Sequence, residues 1–243
     1  MYGIIVQART GSSRLPGKIH KKVLGKTLLE HQVDRLRRSK KADKLVIATT
    51  VRGDDDKTVG LCRKIGADYS RGPIDDLVGR FLKAAHEHGI TTIVRVCSDC
   101  PLIDPQVVDD LIEMHEKTGA EYISAAHNNG WPYGLGAWLI TTPCLAKLNG
   151  LDLTPFQREH IVPFLNEHPE IFRTALLKAP YEINRNDYFL AVDYPEDLKL
   201  IKHILGQLYR EDKDFTVRDI LNYLDENPHI SRINRRLHKG YAN

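Results

Sequence analysis

Two glycines and three cations crowd one short stretch of this chain, Ala8-Arg9-Thr10-Gly11-Ser12-Ser13-Arg14-Leu15-Pro16-Gly17-Lys18. Glycines let a backbone turn sharply and bring its N–H groups close to a ligand. Arg9, Arg14 and Lys18 add three positive charges within ten residues. Backbone donors combined with cations are what a triphosphate needs. The stretch is not a Walker loop, because five residues separate Gly11 from Gly17 and Ile19 stands where a magnesium-binding Ser or Thr belongs. A solvated basic turn is the bland alternative. Placement directly after an apolar run favours a binding loop.

Two carboxylates recur in a similar setting. Asp99 follows the run Ile93-Val94-Arg95-Val96-Cys97, and Asp193 follows Phe189-Leu190-Ala191-Val192. Magnesium prefers hard oxygen ligands and takes one or two carboxylates plus substrate phosphates. Either Asp alone could equally cap a helix or turn. A cationic phosphate loop together with two strand-end carboxylates is far more specific than any one part. Cys97 and Cys100 have C-x-x-C spacing, but no second pair accompanies them, so zinc or redox chemistry is disfavoured. His160, beside Arg158 and Glu159, could line a pocket or simply pack. The basic run over residues 35–44 reads as a solvated helix end rather than a nucleic-acid surface.

The elements that must hold these groups alternate apolar runs with helical patterns, the signature of a parallel sheet built from βα units. Residues 3–8, 44–50 and 91–97 read as strands that each end in a polar loop, with a short strand at 66–69. Ligands bind beyond such carboxyl ends in an open α/β sheet. Thr27 caps a helix with Glu30 in its first turn, and an acidic turn at residues 54–56 opens the next. Residues 75–88 form a third helix, and Asp104-Pro105 starts a fourth. In the less regular second half, residues 121–125, 137–141, 172–178 and 189–192 read as strands. Helices are expected at 154–166, 195–208 and 217–226, the last with Thr216 and Asp219 as a capping box. The basic tail from Pro228 is expected to fray.

With 243 residues, 42% of them hydrophobic and 28% charged, the chain can bury a substantial core. A formal charge of +3 is too small to imply nucleic-acid binding and suits an anionic substrate. The first residues lack a basic leader and a long apolar run, so neither a signal peptide nor a membrane span is expected. Four scattered cysteines do not make a disulfide framework. The cytoplasm is the expected compartment.

The sequence resembles the cytidylyltransferases of the spore-coat polysaccharide type, relatives of the CMP-Kdo and CMP-sialic acid synthetases. The residues that carry the resemblance are the loop at 8–18, Arg71-Gly72, Asp75-Asp76-Leu77-Val78-Gly79-Arg80-Phe81, Asp99-Cys100-Pro101-Leu102-Ile103-Asp104, Arg158-Glu159-His160 and Val192-Asp193-Tyr194-Pro195-Glu196-Asp197-Leu198. The resemblance implies a Rossmann-like α/β fold of the nucleotide-diphospho-sugar transferase kind, a mixed, mostly parallel sheet flanked by helices. It implies one cytidylyltransferase domain over residues 1–243, with a nucleotide-binding half (1–120) and an acceptor-binding half (121–243). CTP would be the donor, pyrophosphate a product, and Mg2+ the cofactor, held by Asp99 and Asp193. Arg14 and Lys18 would be the catalytic cations. Ala8, Arg9, Gly11, Ser12, Ser13, Asp76 and Arg80 would bind the nucleotide, and Tyr133, Arg158 and His160 the acceptor. Synthetases of this kind often dimerise through their second half, which suggests a homodimer. Such relatives tend to carry an Asp-Gly-Leu-Asp-Val-Glu-like stretch near the acceptor. Here the run is Tyr133-Gly134-Leu135-Gly136-Ala137-Trp138, without a carboxylate. A small anionic acceptor is therefore expected, a sugar acid, phosphonate or phosphorylated acid. A sugar-1-phosphate nucleotidyltransferase using another triphosphate, and a non-catalytic nucleotide-binding protein, are the alternatives.

Overall fold

The computed structural model describes residues 1–185, 187–209 and 214–238. Strand β1 (Tyr2–Gln7) leads through the cationic loop to a small hairpin, β2 (Lys22–Val23) and β3 (Lys26–Thr27). Helix α1 (Leu28–Leu36) follows, opened by the reciprocal Thr27 and Glu30 capping bonds. Then come β4 (Lys44–Thr50), α2 (Asp56–Ile65), β5 (Asp68–Gly72), α3 (Leu77–His88), β6 (Thr92–Cys97) and α4 (Pro105–Thr118). The second half adds β7 (Tyr122–Ala125), β8 (Ala137–Thr141), α5 (Thr142–Asn149), α6 (Pro155–Glu159), α7 (Ile161–Glu167) and β9 (Thr174–Leu176). Helices α8 (Pro195–Leu208), α9 (Val217–Glu226) and α10 (Pro228–Ser231) complete it.

Seven strands share one sheet in the order β5-β4-β1-β6-β8-β7-β9, and only β8 runs against the rest. The result is a mixed, mostly parallel sheet flanked by helices, as the sequence leads one to expect. Alternate residues of the central strands face opposite layers. Ile4, Val6, Val94 and Val96 pack with α1 and α4, whereas Ile5 and Ile93 pack with α3, α5 and α7. A third apolar cluster joins Leu190 and Val192 to α8 and α9, and Leu15 of the cationic loop plugs into it. Burying that leucine contributes about 1.5–3 kcal/mol to holding the loop down.

Several expectations need correction. Residues 189–192 do not form a strand; Phe189 makes one isolated bridge with Tyr133. They are buried by packing, with the Leu190 and Val192 N–H groups donating to the Tyr133 and Asp99 carbonyls without forming a ladder. The single helix expected over 154–166 breaks at His160, whose backbone (φ −120, ψ 80) leaves the helical region. The strand expected at 66–69 lies instead at Asp68–Gly72, and that at 172–178 shrinks to Thr174–Leu176. Arg35 is no part of a solvated helix end. It is fully buried, lies 3.9 Å from the Phe215 ring centroid and donates to the carbonyls of Ile103 and Phe215. The tail is docked rather than frayed as far as His238, with Asn234 and His238 buried; the expectation for residues 239–243 lies outside the described residues. No described helix is long and apolar enough to cross a membrane.

Candidate active site

A cleft of about 290 Å³ opens at the carboxyl ends of β1 and β6. The chain runs from β1 leftward to β4 and β5, then returns to add β6 on the other side of β1. That reversal is the topological switch point, where such sheets leave a crevice. Eleven of the fourteen residues singled out from the sequence line the cleft: Ala8, Arg9, Gly11, Ser12, Ser13, Arg14, Lys18, Arg80, Asp99, His160 and Asp193.

Local folding explains the loop. Gly17 has φ +63, a left-handed conformation that favours glycine, and it lets its N–H reach back to the Thr10 carbonyl at 3.3 Å. Gly11 has neither a positive φ nor a neighbour that would exclude a side chain. At the other end the buried Asp55 accepts the Thr10 N–H at 2.6 Å and bonds the Thr50 hydroxyl. Burial pushes this carboxyl up, but the Thr50 and Thr10 donors outweigh it and hold it below its ordinary value. The acidic turn therefore anchors the loop as well as opening α2, a role its helix-start pattern did not disclose.

The two strand-end carboxylates converge. Lys18 Nζ lies 2.9 Å from both Asp99 Oδ2 and Asp193 Oδ1, and Arg14 reaches Asp193 at 2.8 Å. Burial disfavours the Lys18 ammonium, yet the two carboxylates hold its pKa above the ordinary lysine value. Burial likewise pushes Asp193 up, but Lys18 and then Arg14 hold it below the usual carboxylate range. One cation thus sits where two carboxylate oxygens point. The loops carrying them are also joined directly, since the Val192 N–H donates to the Asp99 carbonyl at 2.8 Å. The donor set fits magnesium. Two hard carboxylates converge on one cation position, now filled by an ammonium, and phosphates and water would supply the remaining ligands. Among the described residues no group of three or more His, Cys, Asp and Glu side chains is arranged to hold a metal by itself.

Asp193 is held from behind. Asp197, fully buried, accepts the backbone N–H of Asp193 and of Tyr194 on one oxygen, at 2.9 and 2.7 Å. Its other oxygen takes Asn234 Nδ2 and His238 Nε2, both at 2.8 Å. The His238 ring stacks on Phe189 at 3.4 Å, and Phe189 stacks on Tyr133 at 4.3 Å. Both oxygens of this buried carboxylate are thus satisfied by donors, which offsets the cost of burying it.

Three of the chosen residues do not line the cleft. Asp76 caps α3 by accepting the Gly79 N–H and lies 3.6 Å from Arg158, which bonds Asn149. Tyr133 lies beneath Phe189. Arg80 lines the cleft with little exposure, donating to the Pro73 and Ile74 carbonyls, and burial together with Arg9 pushes its pKa down. Arg9 is paired with Glu159 at 2.8 Å. Sequence reasoning missed Gln7, Leu77, Cys97, Ser98 and Glu159 as lining residues. Gln7 and Cys97 are the last residues of their strands, so the strand-end rule could have found them; Leu77 and Glu159 sat inside the blocks that carry the family resemblance without being singled out. The absent carboxylate at 136 has a steric reason. A Cβ on Gly136 would lie 2.1 Å from the Ala125 carbonyl oxygen, so no side chain fits there.

The chain is similar to known proteins in sequence and fold. A family model described as cytidylyltransferase matches residues 3–219. The spore coat polysaccharide biosynthesis protein SpsF of Bacillus subtilis is 31% identical over 92% of this chain and 94% of its own. The structure of a cytidylyltransferase from Leptospira borgpetersenii superposes with a TM-score of 0.88 at 32% identity, covering 95% of this chain and 96% of that one. A CMP:2-keto-3-deoxy-manno-octonic acid synthetase solved with CTP shares the fold, with a TM-score of 0.62 at 17% identity over 85% of this chain and 98% of that one.

Proposed function

This chain belongs to the cytidylyltransferase family and is a nucleotidyltransferase, and on that premise we propose that it couples CTP to a small anionic acceptor with release of pyrophosphate. The observation that carries the reading is the convergence of Asp99 and Asp193 on one cation position beside a cationic loop. CTP is favoured over other triphosphates by the family and by the fold neighbour solved with CTP.

In this reading Ala8, Arg9, Gly11, Ser12 and Ser13 hold the nucleotide, with Arg80 beside them and Asp76 shaping that wall through its bond to α3. Asp99 and Asp193 would hold magnesium, which would supply neutralisation of the triphosphate's charge. An acceptor oxygen attacks the α-phosphorus in line, its bond to phosphorus forms, and the bond to the leaving pyrophosphate breaks. Arg14 and Lys18 turn from the carboxylates to the phosphates and stabilise the charge that departs. Catalysis comes from positioning and charge neutralisation. The acceptor enters from the His160 side, with Arg158 beside that wall and Tyr133 supporting the Asp193 side at one remove through Phe189. Residues 1–120 act as the nucleotide half and residues 121–243 as the acceptor half of one domain, which pairs with a second copy. The enzyme works in the cytoplasm.

The deciding assay is pyrophosphate release with CTP, UTP, GTP and ATP, each with magnesium, against sugar acids and small phosphonates. Release with CTP and one acid supports the reading and names the acceptor. Preference for another triphosphate overturns the choice of base. Tight CTP binding with no release from any pair identifies a nucleotide-binding protein instead.

A further inference from the structure

Gln7 and Arg95 form a unit that the mechanism above leaves unused. Gln7 ends β1, opposite Cys97 of β6, and lines the cleft at the switch point. Arg95, one pleat further down β6 on the same face, donates from Nε to Gln7 Oε1 at 3.0 Å. A guanidinium has only donors. The oxygen of the Gln7 amide is therefore committed to Arg95, and the side-chain NH2 is turned the other way. That NH2 has no hydrogen-bond partner among the described residues and belongs to a half-buried side chain on the cleft wall.

Arg95 is itself unusual. It is 7% exposed, and its guanidinium carbon lies 4.6 Å from the centroid of the Trp138 ring. No carboxylate is paired with it among the described residues; its one hydrogen-bonded partner is Gln7. A buried guanidinium without an acid leaves uncompensated positive potential directly behind the amide that faces the cleft. The unit leans toward β6 and β8, away from the β4 side where Asp55 anchors the cationic loop.

We propose that the Gln7 side-chain NH2 is the donor that recognises the acceptor's carboxylate or phosphonate oxygen, and that Arg95 is a positioning residue that fixes the amide's orientation and backs it with charge. The proposal rests on the cytidylyltransferase reading and gives its anionic acceptor a physical reason. An oxyanion accepts two N–H bonds readily and is drawn by the potential behind them, whereas an ester or amide of the same acid lacks the charge.

Binding is tested separately from turnover. With CTP saturating and no metal added, the phosphate loop is filled and no transfer occurs. Phosphonoacetate, which carries both oxyanion types, is then titrated calorimetrically into wild-type protein, Gln7→Leu, Arg95→Met and the double variant. Wild type is expected to bind it, and not its neutral triethyl ester. Gln7→Leu and Arg95→Met each weaken binding by roughly tenfold to a hundredfold, the scale of one hydrogen bond to a charged group. The double variant should be no worse than the poorer single one, because both remove the same contact. CTP affinity should stay within about threefold of wild type in all three. Equal phosphonoacetate binding in wild type and Gln7→Leu, or none in either, overturns the proposal. A loss confined to CTP affinity also overturns it, by assigning the amide to the nucleotide. A cytidylyltransferase reading that fails would show instead as absent pyrophosphate release by a wild type that still binds phosphonoacetate through Gln7.

Discussion

Replacing Lys18 with methionine should move two measurable quantities in opposite directions. The ammonium lies 2.9 Å from a carboxylate oxygen on each side, and its side chain is 12% exposed. At an effective dielectric near 20, each contact is worth about 6 kcal/mol gross. Desolvation of the ammonium and the carboxylates offsets most of that, leaving about 1.5–3 kcal/mol net. A divalent cation that enters between Asp99 and Asp193 must first displace this competitor. Lys18→Met removes the competition, so Mn2+ should bind the nucleotide-free protein about ten- to a hundredfold more tightly, at 1.4 kcal/mol per decade. Turnover should fall by roughly tenfold to a thousandfold, because the departing pyrophosphate loses a cation. Methionine keeps much of the apolar stem, and added Mn2+ should restore melting temperature lost to repulsion between the two aspartates. Electron paramagnetic resonance counts free Mn2+ for the first quantity, and pyrophosphate release with CTP reports the second. Mn2+ binding that weakens or stays level would refute the idea that the two carboxylates share one cation position.

Asp55→Asn should cost about 1–3 kcal/mol and raise the KM for nucleotide, because the Thr10 anchor loses its charge. The sign of the pH effect follows from the depressed pKa of Asp55. Its stabilisation is present above the unfolded value near 3.8 and is lost as pH falls through the lower folded value, so urea melts of the variant should show a shallower acid limb below about pH 4. Gly136→Asp should destabilise by about 1–3 kcal/mol or more, since its Cβ collides with the Ala125 carbonyl; a melting temperature equal to wild type would contradict that contact. His238→Phe keeps an aromatic ring against Phe189 but removes a donor to Asp197. It should raise the magnesium concentration for half-maximal activity several-fold, with CTP affinity little changed, and His238→Gln should recover part of the loss.

The parts of this molecule that were legible in the sequence are those written locally. The Thr27 and Glu30 box, Pro105 behind Asp104, and the Thr216 and Asp219 box each satisfy helix ends with near neighbours, and all are present. The cationic loop and both aspartates stood out because an apolar run precedes each, and the cleft gathers them. What was hidden depends on contacts between distant residues. Arg35 reads as one more surface cation until Phe215, 180 residues away, covers it. Residues 189–192 look like a strand because burial and strand pairing select the same apolar types, and here packing against α8 and α9 does the burying. The break at His160 that brings Glu159 to Arg9 was legible but unread: Pro163 has no N–H for the Glu159 carbonyl and its ring clashes with it, which ends a helix there. Gln7 resembles any polar residue at a strand end; only its bond to Arg95 gives it a direction.

The hold that Asn234 and His238 keep on Asp197 has a consequence for how the enzyme is made. Asp193 is oriented through a carboxylate whose far oxygen, among the described residues, is satisfied by residues 37 and 41 positions later in the chain, beyond residues 3–219 matched by the family model. A ribosome that has reached Leu224 has already supplied every described strand and every described side chain lining the cleft, yet Asp197 still lacks two of the four donors it has among the described residues. A chain released at that point is a nearly whole fold with a buried, half-satisfied carboxylate behind Asp193. A chain interrupted before Asn234 would therefore leave the ribosome with Asp193 less firmly oriented than in the longer chain.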